Sequence, residues 1–331
     1  MIPQGLYNGY PHIWGIAGTN REESVGGRDQ QVFYVNSAHP AANDNNYGLD
    51  PDAPLATIQE LIDRSTGASF ITHPHLNSYD VIYVGANVTE SVIVPGTGVP
   101  TYVSIVGAGN SSHAPTWTAA TAAGTALTLR REGWRISGFT FEVGAAGTAI
   151  RLDEVPASSY SAYKTTIDNC RFDGLWGGLY GVNFSGAPHR VTIDNCEFLE
   201  FRRGNSTAFA IIVSDSAHTN PYECHINGCT FWENENHVGS LGGIRSFNMS
   251  TITNNIFHEG VLIAATIKLD LRGGSQGHNI VTGNVFGGDY SNPGGYYGHA
   301  AAPDLWVGNF AEDVAEAEVG DNGLTIAPPA A

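Results

Sequence analysis

Lysine is nearly missing from this 331-residue chain: Lys164 and Lys268 are the only two. Basic residues number 15 against 32 acidic ones, and the formal charge is −17. Such a surface repels nucleic-acid phosphates and anionic lipid, so no nucleic-acid partner is expected. No apolar run approaches the ~18 residues of a membrane helix, so no membrane insertion is expected either. Residues 1–15 lack a basic segment followed by an apolar one, which excludes a secretory signal at this start. Cysteine is scarce: Cys170, Cys196, Cys224 and Cys229 are the whole set, all at positions that read as inward-facing. That pattern fits assembly in a reducing cytoplasm better than a disulfide framework. Long amphipathic helical runs are also few, and the glycine and asparagine content at recurring positions excludes a helical solenoid.

What is abundant is glycine, 41 residues, with threonine, serine and asparagine around short aliphatic stretches. From Arg135 onward one pattern returns, an aliphatic residue followed five positions later by phenylalanine. It runs Ile136 to Phe141, Ile167 to Phe172, Ile193 to Phe198, Ile226 to Phe231, Ile252 to Phe257 and Val281 to Phe286. The phenylalanines lie 26 to 33 positions apart, the regime of a solenoid whose coils differ in loop length. Inside each motif an Asn or Gly sits between two inward positions and lets the strand turn a corner. Cys170, Cys196, Cys229, Asn255 and Asn284 then fall at equivalent places in successive coils, about 4.8 Å apart. A second strand recurs at 149–152, 181–184, 210–213, 243–246 and 266–269.

The fold expected is therefore all-β, a right-handed parallel β-helix with a short N-terminal capping helix. Segments 80–85 and 103–109 read as its first coils. The helix follows Thr57, an N-cap with Glu60 three residues on, a capping box; it would cover the open end of the solenoid, where bare strand edges invite aggregation. Four regions result: an N-terminal anchoring or interface segment (1–31), a leading strand with the capping helix (32–79), the β-helix (80–310) and an acidic C-terminal tail (311–331). Tyr7, Tyr10, His12 and Trp14 crowd the first region without a repeat, and such aromatic stretches anchor at interfaces.

The residues Phe33-Tyr34-Val35-Asn36-Ser37, then 43–49 (Asn-Asp-Asn-Asn-Tyr-Gly-Leu) and 54–59 (Pro-Leu-Ala-Thr-Ile-Gln), resemble the start of the pectin-lyase-like β-helix superfamily, as in phage tailspikes and other virion surface proteins. By pattern the likeness covers about residues 30 to 290. It implies fold well and function poorly, because that superfamily holds lyases, hydrolases, epimerases and inert structural proteins. The Asn-Thr-Asp, Asp-Asp, Gly-His-Gly and Arg-Ile-Lys motifs of its polygalacturonase-like hydrolases are missing. Gly277-His278-Asn279 is the nearest approach and lacks paired carboxylates. The resemblance implies a structural protein on the virion surface of a tailed bacteriophage, a capsid decoration, fibre or tailspike component, assembled in the host cytoplasm. It also implies a homotrimer in contact with other virion proteins. A polysaccharide lyase or glycoside hydrolase is the rival reading, and a non-catalytic carbohydrate-binding protein the third.

Among outward residues, Glu200, Glu233 and Glu259 fall two places after successive phenylalanines, with Asp173 and His258 one place earlier. Stacked carboxylates would raise one another's pKa or hold calcium, and they would match the short separation used by retaining glycosidases. The bland reading is a solvated bend, convex and without a cleft, with Arg202 and Arg203 close by; no catalytic centre and no cofactor are then expected. Asp168 and Asp194 read as an outward pair, beside Arg171 and Glu197 with opposite charge one coil apart. Trp176, Tyr180 and Trp232 read as loop aromatics able to face sugar rings, and Arg151, Arg245 and Lys268 as a basic line able to grip an acidic polysaccharide.

Overall fold

A computed structural model describes residues 30–66, 73–109, 114–154, 162–186, 188–201, 207–214, 220–240, 246–258, 267–272, 277–287, 296–298 and 304–311, and the backbone of 6–7 and 10–11. Apart from the antiparallel pair Leu6–Tyr7 and Tyr10–Pro11, the described strands form three parallel stacks of ten, nine and eight. The first sheet runs from Val32–Val35 to Leu305–Val307, the second from Val88–Thr89 to Phe310–Ala311, and the third from Val92–Val94 to Tyr296–Tyr297. Each coil contributes one strand to each sheet in turn, so the chain winds as a parallel β-helix.

The repeated aliphatic residue and the repeated phenylalanine build the interior. Ile82, Ile105, Ile136, Ile167, Ile193, Ile226, Ile252, Val281 and Trp306 pair in register down the first sheet. Trp117, Phe141, Phe172, Phe198, Phe231, Phe257 and Phe286 do so down the second. From Phe141 to Phe257 the rings stack nearly parallel, Phe172 and Phe198 lying 4.7 Å apart at 4°. Full burial of one such side chain contributes ~2–3 kcal/mol. Between the two sheets the corner residue is left-handed at every coil, Asn169, Asn195, Gly228, Asn254 and Gly283 having φ between 50° and 68°. Asn and Gly pay least for that conformation. Just inside the corner lie the buried Cys170, Cys196 and Cys229, and then asparagines whose side chains replace backbone partners: Asn255 Oδ1 accepts the Cys229 amide at 2.9 Å, and Asn284 Oδ1 the Asn255 amide at 2.9 Å. Cys224 belongs to a different row, its amide donating to Ser250 Oγ.

The helix Ile58–Thr66 stands at the N-terminal end, with Ile58, Leu61 and Ile62 in the core. Half of the expected capping box forms: the Glu60 amide donates to Thr57 Oγ1, but the Glu60 carboxylate turns to Arg64 at 2.9 Å. The helix's first amides are taken by Glu90 instead, from Ile58 and Gln59 at 3.1 and 3.2 Å. Gln59 also closes the edge of the third sheet, its Oε1 accepting the Ile93 amide at 2.8 Å and its Nε2 donating to the Ile93 carbonyl at 3.4 Å. One side-chain amide thus stands in for a missing strand, which is how an exposed edge is kept from pairing with another chain. Among the described residues no helix is long and apolar enough to cross a membrane.

Two expectations fail in the third sheet. The fourth strand of the recurring series is Asn236–Ser240, not 243–246; it aligns Val238 with Ile211 and places Asn236 where its Nδ2 donates to the Ala208 carbonyl. The basic line also dissolves. Arg151 is in register with Asn183, Ile212 and Gly239, whereas Lys268 lies between Ile267, opposite Asn236, and Leu269, opposite Val238. Lys268 is buried, and Arg245 lies outside the described residues. Asp168, expected to face water, is buried too, held by Arg135 at 2.8 Å, Ser137 at 2.9 Å and Asn169 at 2.7 Å.

Candidate functional site

In a strand whose central phenylalanine points inward, the residues on either side point out. The second sheet therefore carries two outward rows, one through Thr140, Arg171, Glu197, Thr230, Ile256, Val285 and Phe310, the other through Glu142, Asp173, Leu199 and Trp232. Between them, at the middle coils, lies an open groove of about 550 Å³ lined by Arg171, Glu197, Leu199, Glu200, Thr230, Trp232 and His258. The sequence reading expects a convex bend here, and the groove is correspondingly open to solvent. At the corner that follows, Glu200 and Glu233 are left-handed at φ 58° and 51°.

Trp232 forms the floor's aromatic part, 43% exposed, with its ring 4.9 Å from His258 at 43°. Arg171 sits between two carboxylates, 3.5 Å from Asp173 and 3.7 Å from Glu197. The cross-coil pair foreseen in the sequence is therefore formed, at a separation and exposure that make it worth under ~1 kcal/mol. Burial, and then the negative charges of Asp173 and Glu233, push the Glu200 carboxyl above its ordinary range, with Arg171 pulling the other way. Gly174 is required beside it, since a Cβ there would lie 2.5 Å from the Glu200 carbonyl oxygen.

The groove is backed by a buried polar network that the sequence reading missed. Asn234 Oδ1 accepts the Phe201 amide at 3.1 Å, and its Nδ2 donates to the Phe198 carbonyl at 2.9 Å and meets His237 Nδ1 at 3.2 Å. His237 Nε2 reaches the His258 carbonyl at 3.2 Å. The neutral imidazole with its proton on Nε2 satisfies both contacts, and burial holds the His237 pKa down at about 3. His237 thereby ties the core to the turn that carries His258, a groove residue. Its only signal in sequence was a polar run, Glu233 to His237, where the neighbouring coils are apolar.

The site residues proposed from sequence divide accordingly. Asp173, Glu200 and Trp232 come together at or beside the groove. Trp176 is exposed on the adjacent corner, its amide donating to the Glu200 carbonyl at 3.2 Å, without lining the groove. Glu233 is buried and leaves the solvated row assigned to it. Tyr180 opens the strand Tyr180–Phe184, half-buried, rather than lying on a loop. Lys268, being buried, presents nothing to a ligand. Glu259, Arg202, Arg203, His12 and Trp14 lie outside the described residues, as do the side chains of Tyr7 and Tyr10. Among the described residues no group of three or more His, Cys, Asp or Glu could hold a metal ion.

Comparison with solved structures finds the same fold in other β-helices. An alginate lyase from Paenibacillus sp. str. FPU-7 aligns with a TM-score of 0.51 at 14% identity, over 71% of this chain and 89% of that one. A pectate lyase aligns with a TM-score of 0.56 at 13% identity, over 92% and 82%. The tailspike of E. coli bacteriophage HK620, in complex with a pentasaccharide, aligns with a TM-score of 0.44 at 13% identity, over 84% and 57%. At these identities the likeness is one of fold. No curated protein matches the sequence. The family described as right handed beta helix region matches residues 126–299, more than half of the chain, and the protein belongs to that family.

Proposed function

We propose that the protein is a structural component of a tailed-bacteriophage virion surface, a capsid decoration, fibre or tailspike element, which contacts a saccharide in the groove of the second sheet without cleaving it. The observation that carries the saccharide part is the groove itself: a half-exposed indole beside Leu199 gives a sugar ring an apolar face, and Arg171, Glu197 and Thr230 supply polar contacts at its rim. The virion part rests on the resemblance of the first coils and on the lack of hydrolase motifs, and four buried free thiols suit cytoplasmic assembly. Self-association in threes belongs to the same reading. Two exposed apolar rows in the last coils could serve it on a chain of charge −17, Ile256, Val285 and Phe310 on the second sheet and Ile280 and Leu305 on the first. Two experiments test this. Mass spectrometry of purified particles should find the chain, and its absence overturns the virion role. Glycan-array binding should be lost in Trp232→Ala, and binding that survives overturns the groove.

One arrangement favours polysaccharide cleavage as a second reading: two carboxylates, Glu197 and Glu200, line the same groove. Depolymerisation of any polysaccharide by the purified protein, abolished in Glu200→Gln, would establish it.

A further inference from the structure

The two ends of the solenoid are finished differently. At the N-terminal end the helix Ile58–Thr66 and the side chain of Gln59 close the strand edges. At the other end Leu305–Val307, Phe310–Ala311 and Tyr296–Tyr297 are the last strands of the three sheets, and no described strand lies beyond them. The asparagine row shows what the last coil lacks. Asn284 Oδ1 accepts the Asn255 amide at 2.9 Å and Asn255 Nδ2 at 3.0 Å, and Asn309 Oδ1 accepts the Asn284 amide at 3.0 Å and Asn284 Nδ2 at 2.9 Å. Each rung thus offers one side-chain oxygen to two donors of the rung before it. Asn309 Nδ2 donates to the Val281 carbonyl at 2.9 Å, as Asn255 does to Ile226 and Asn284 to Ile252. Its backbone amide and its second Nδ2 hydrogen take no partner among the described residues, and they are the pair that a further rung's oxygen would accept. In the same coil the indole of Trp306 is buried, 1% exposed, yet its Nε1 has no hydrogen-bond partner. A buried indole N–H ordinarily finds an acceptor, so this end is short of acceptors at two places.

Residues 312–331 follow, outside the described residues. They carry the rung motif once more. After Val281-Thr282-Gly283-Asn284-Val285-Phe286 and Trp306-Val307-Gly308-Asn309-Phe310-Ala311 comes Val319-Gly320-Asp321-Asn322-Gly323-Leu324. The first and last residues are apolar, the third tolerates a left-handed corner, and the fourth is Asn. Only the spacing is unusual. Phe286 to Trp306 takes 20 positions by way of the third sheet, whereas Ala311 to Val319 takes eight. Eight steps reach at most ~28 Å. That is too little to travel around the coil, and ample for a direct path across its open end.

We propose that residues 319–324 of the same chain dock on the last coil as its terminal rung, Asn322 Oδ1 accepting the Asn309 amide and Nδ2, while 312–318 cross the open end over Trp306. Val314, Ala315 and Ala317 give that crossing apolar side chains to lay on the indole, and its carbonyls give Trp306 Nε1 an acceptor. The chain's own segment is favoured over that of a second copy because it starts at the coil it covers, which sets a local concentration in the millimolar range. Charge points the same way. Glu312, Asp313, Glu316 and Glu318 put four negative charges at this end, and a second copy would bring four more. Charges beside a strand edge also keep foreign strands away, so the segment closes the C-terminal end as the helix closes the other. The inference stands independently of the groove.

Amide hydrogen exchange on the full chain tests the rung. The Asn309 amide should exchange at least about tenfold faster in Asn322→Ala than in the parent, with the Asn255 amide unchanged. Asn322→Asp, which keeps an acceptor oxygen, should retain most of the protection. Cross-linking tests whose segment it is. Phe310→Cys and Gly323→Cys in one chain would stand in register about 4.8 Å apart, and the four native thiols are buried. A short bifunctional thiol reagent should join the two new cysteines within a chain, which then runs as a monomer on a denaturing gel. Equal Asn309 exchange in the parent and Asn322→Ala would overturn the proposal. Links formed between chains instead would place the segment on a second copy, and would overturn it as well.

Discussion

Asn234 Nδ2 and His237 Nδ1 meet at 3.2 Å, both fully buried, behind a groove that neither of them lines. The contact needs an unprotonated Nδ1, and the groups around the ring agree. The His258 carbonyl takes the Nε2 proton, while Lys268 and the His258 ring both disfavour a second positive charge. The folded pKa, about 3, lies below the unfolded value of about 6.5. The unfolded chain therefore binds the proton first, and the stability supplied by the neutral ring is present above about pH 6.5 and lost as pH falls toward about 3, up to about 5 kcal/mol. The His237 Cε1–H resonance should not titrate above about pH 4 in the folded protein; a midpoint near 6 would show the ring to be solvated.

Asn284→Asp should destabilise the protein by about 2–4 kcal/mol. The Asn284 amide donates to the Ile252 carbonyl and to Asn309 Oδ1, both at 2.9 Å, and a carboxylate would set acceptor against acceptor in a buried row. The melting temperature should fall at pH 7 and recover in part at low pH, where the acid is protonated and can donate once. An unchanged melting temperature would show that the asparagine row is not structural.

Phe198→Ala should cost about 3–5 kcal/mol, since its ring lies between Phe172 at 4.7 Å and Phe231 at 5.1 Å and no outward loop can fall into the space. Denaturant unfolding measures this directly. A loss under about 1 kcal/mol would mean that the neighbouring coils collapse around the gap.

The four cysteines should resist a thiol reagent in the native state. All are buried, and burial pushes the Cys224 thiol up to about 12 and the Cys196 thiol well above its ordinary value, leaving little thiolate at neutral pH. Reaction with 5,5′-dithiobis(2-nitrobenzoate) should appear only with denaturant. Rapid native labelling would place a thiol at the surface.

The coil, its inward residues and its Asn or Gly corner were legible from Ile136 to Phe286, because the same interior must be filled and the same bend made at each turn. The first and last coils were less so. Trp117 and Trp306 extend the inward rows without the motif, since any large apolar side chain fills the stack. Of the candidate site, Asp173, Glu200 and His258 were read from sequence as one row across coils, whereas Trp232, read as a loop aromatic, lies in the strand Thr230–Trp232.

The sequence by itself thus determined the period of the solenoid, its two-sheet corner and its buried cysteine and asparagine row, all consequences of short-range pattern repeated at each coil. Only the tertiary structure decided which outward residues meet. Residues in contact across coils are some 26 to 36 positions apart, as Asn234 is from Phe198, and the loops between them vary in length. A shift in loop length moves a side chain from one row to another without disturbing the motif. For that reason Lys268 reads as a surface cation yet lies buried, Glu233 leaves the acidic row, and Tyr79, Tyr102 and Lys164 come together from coils whose sequences share no motif at that corner.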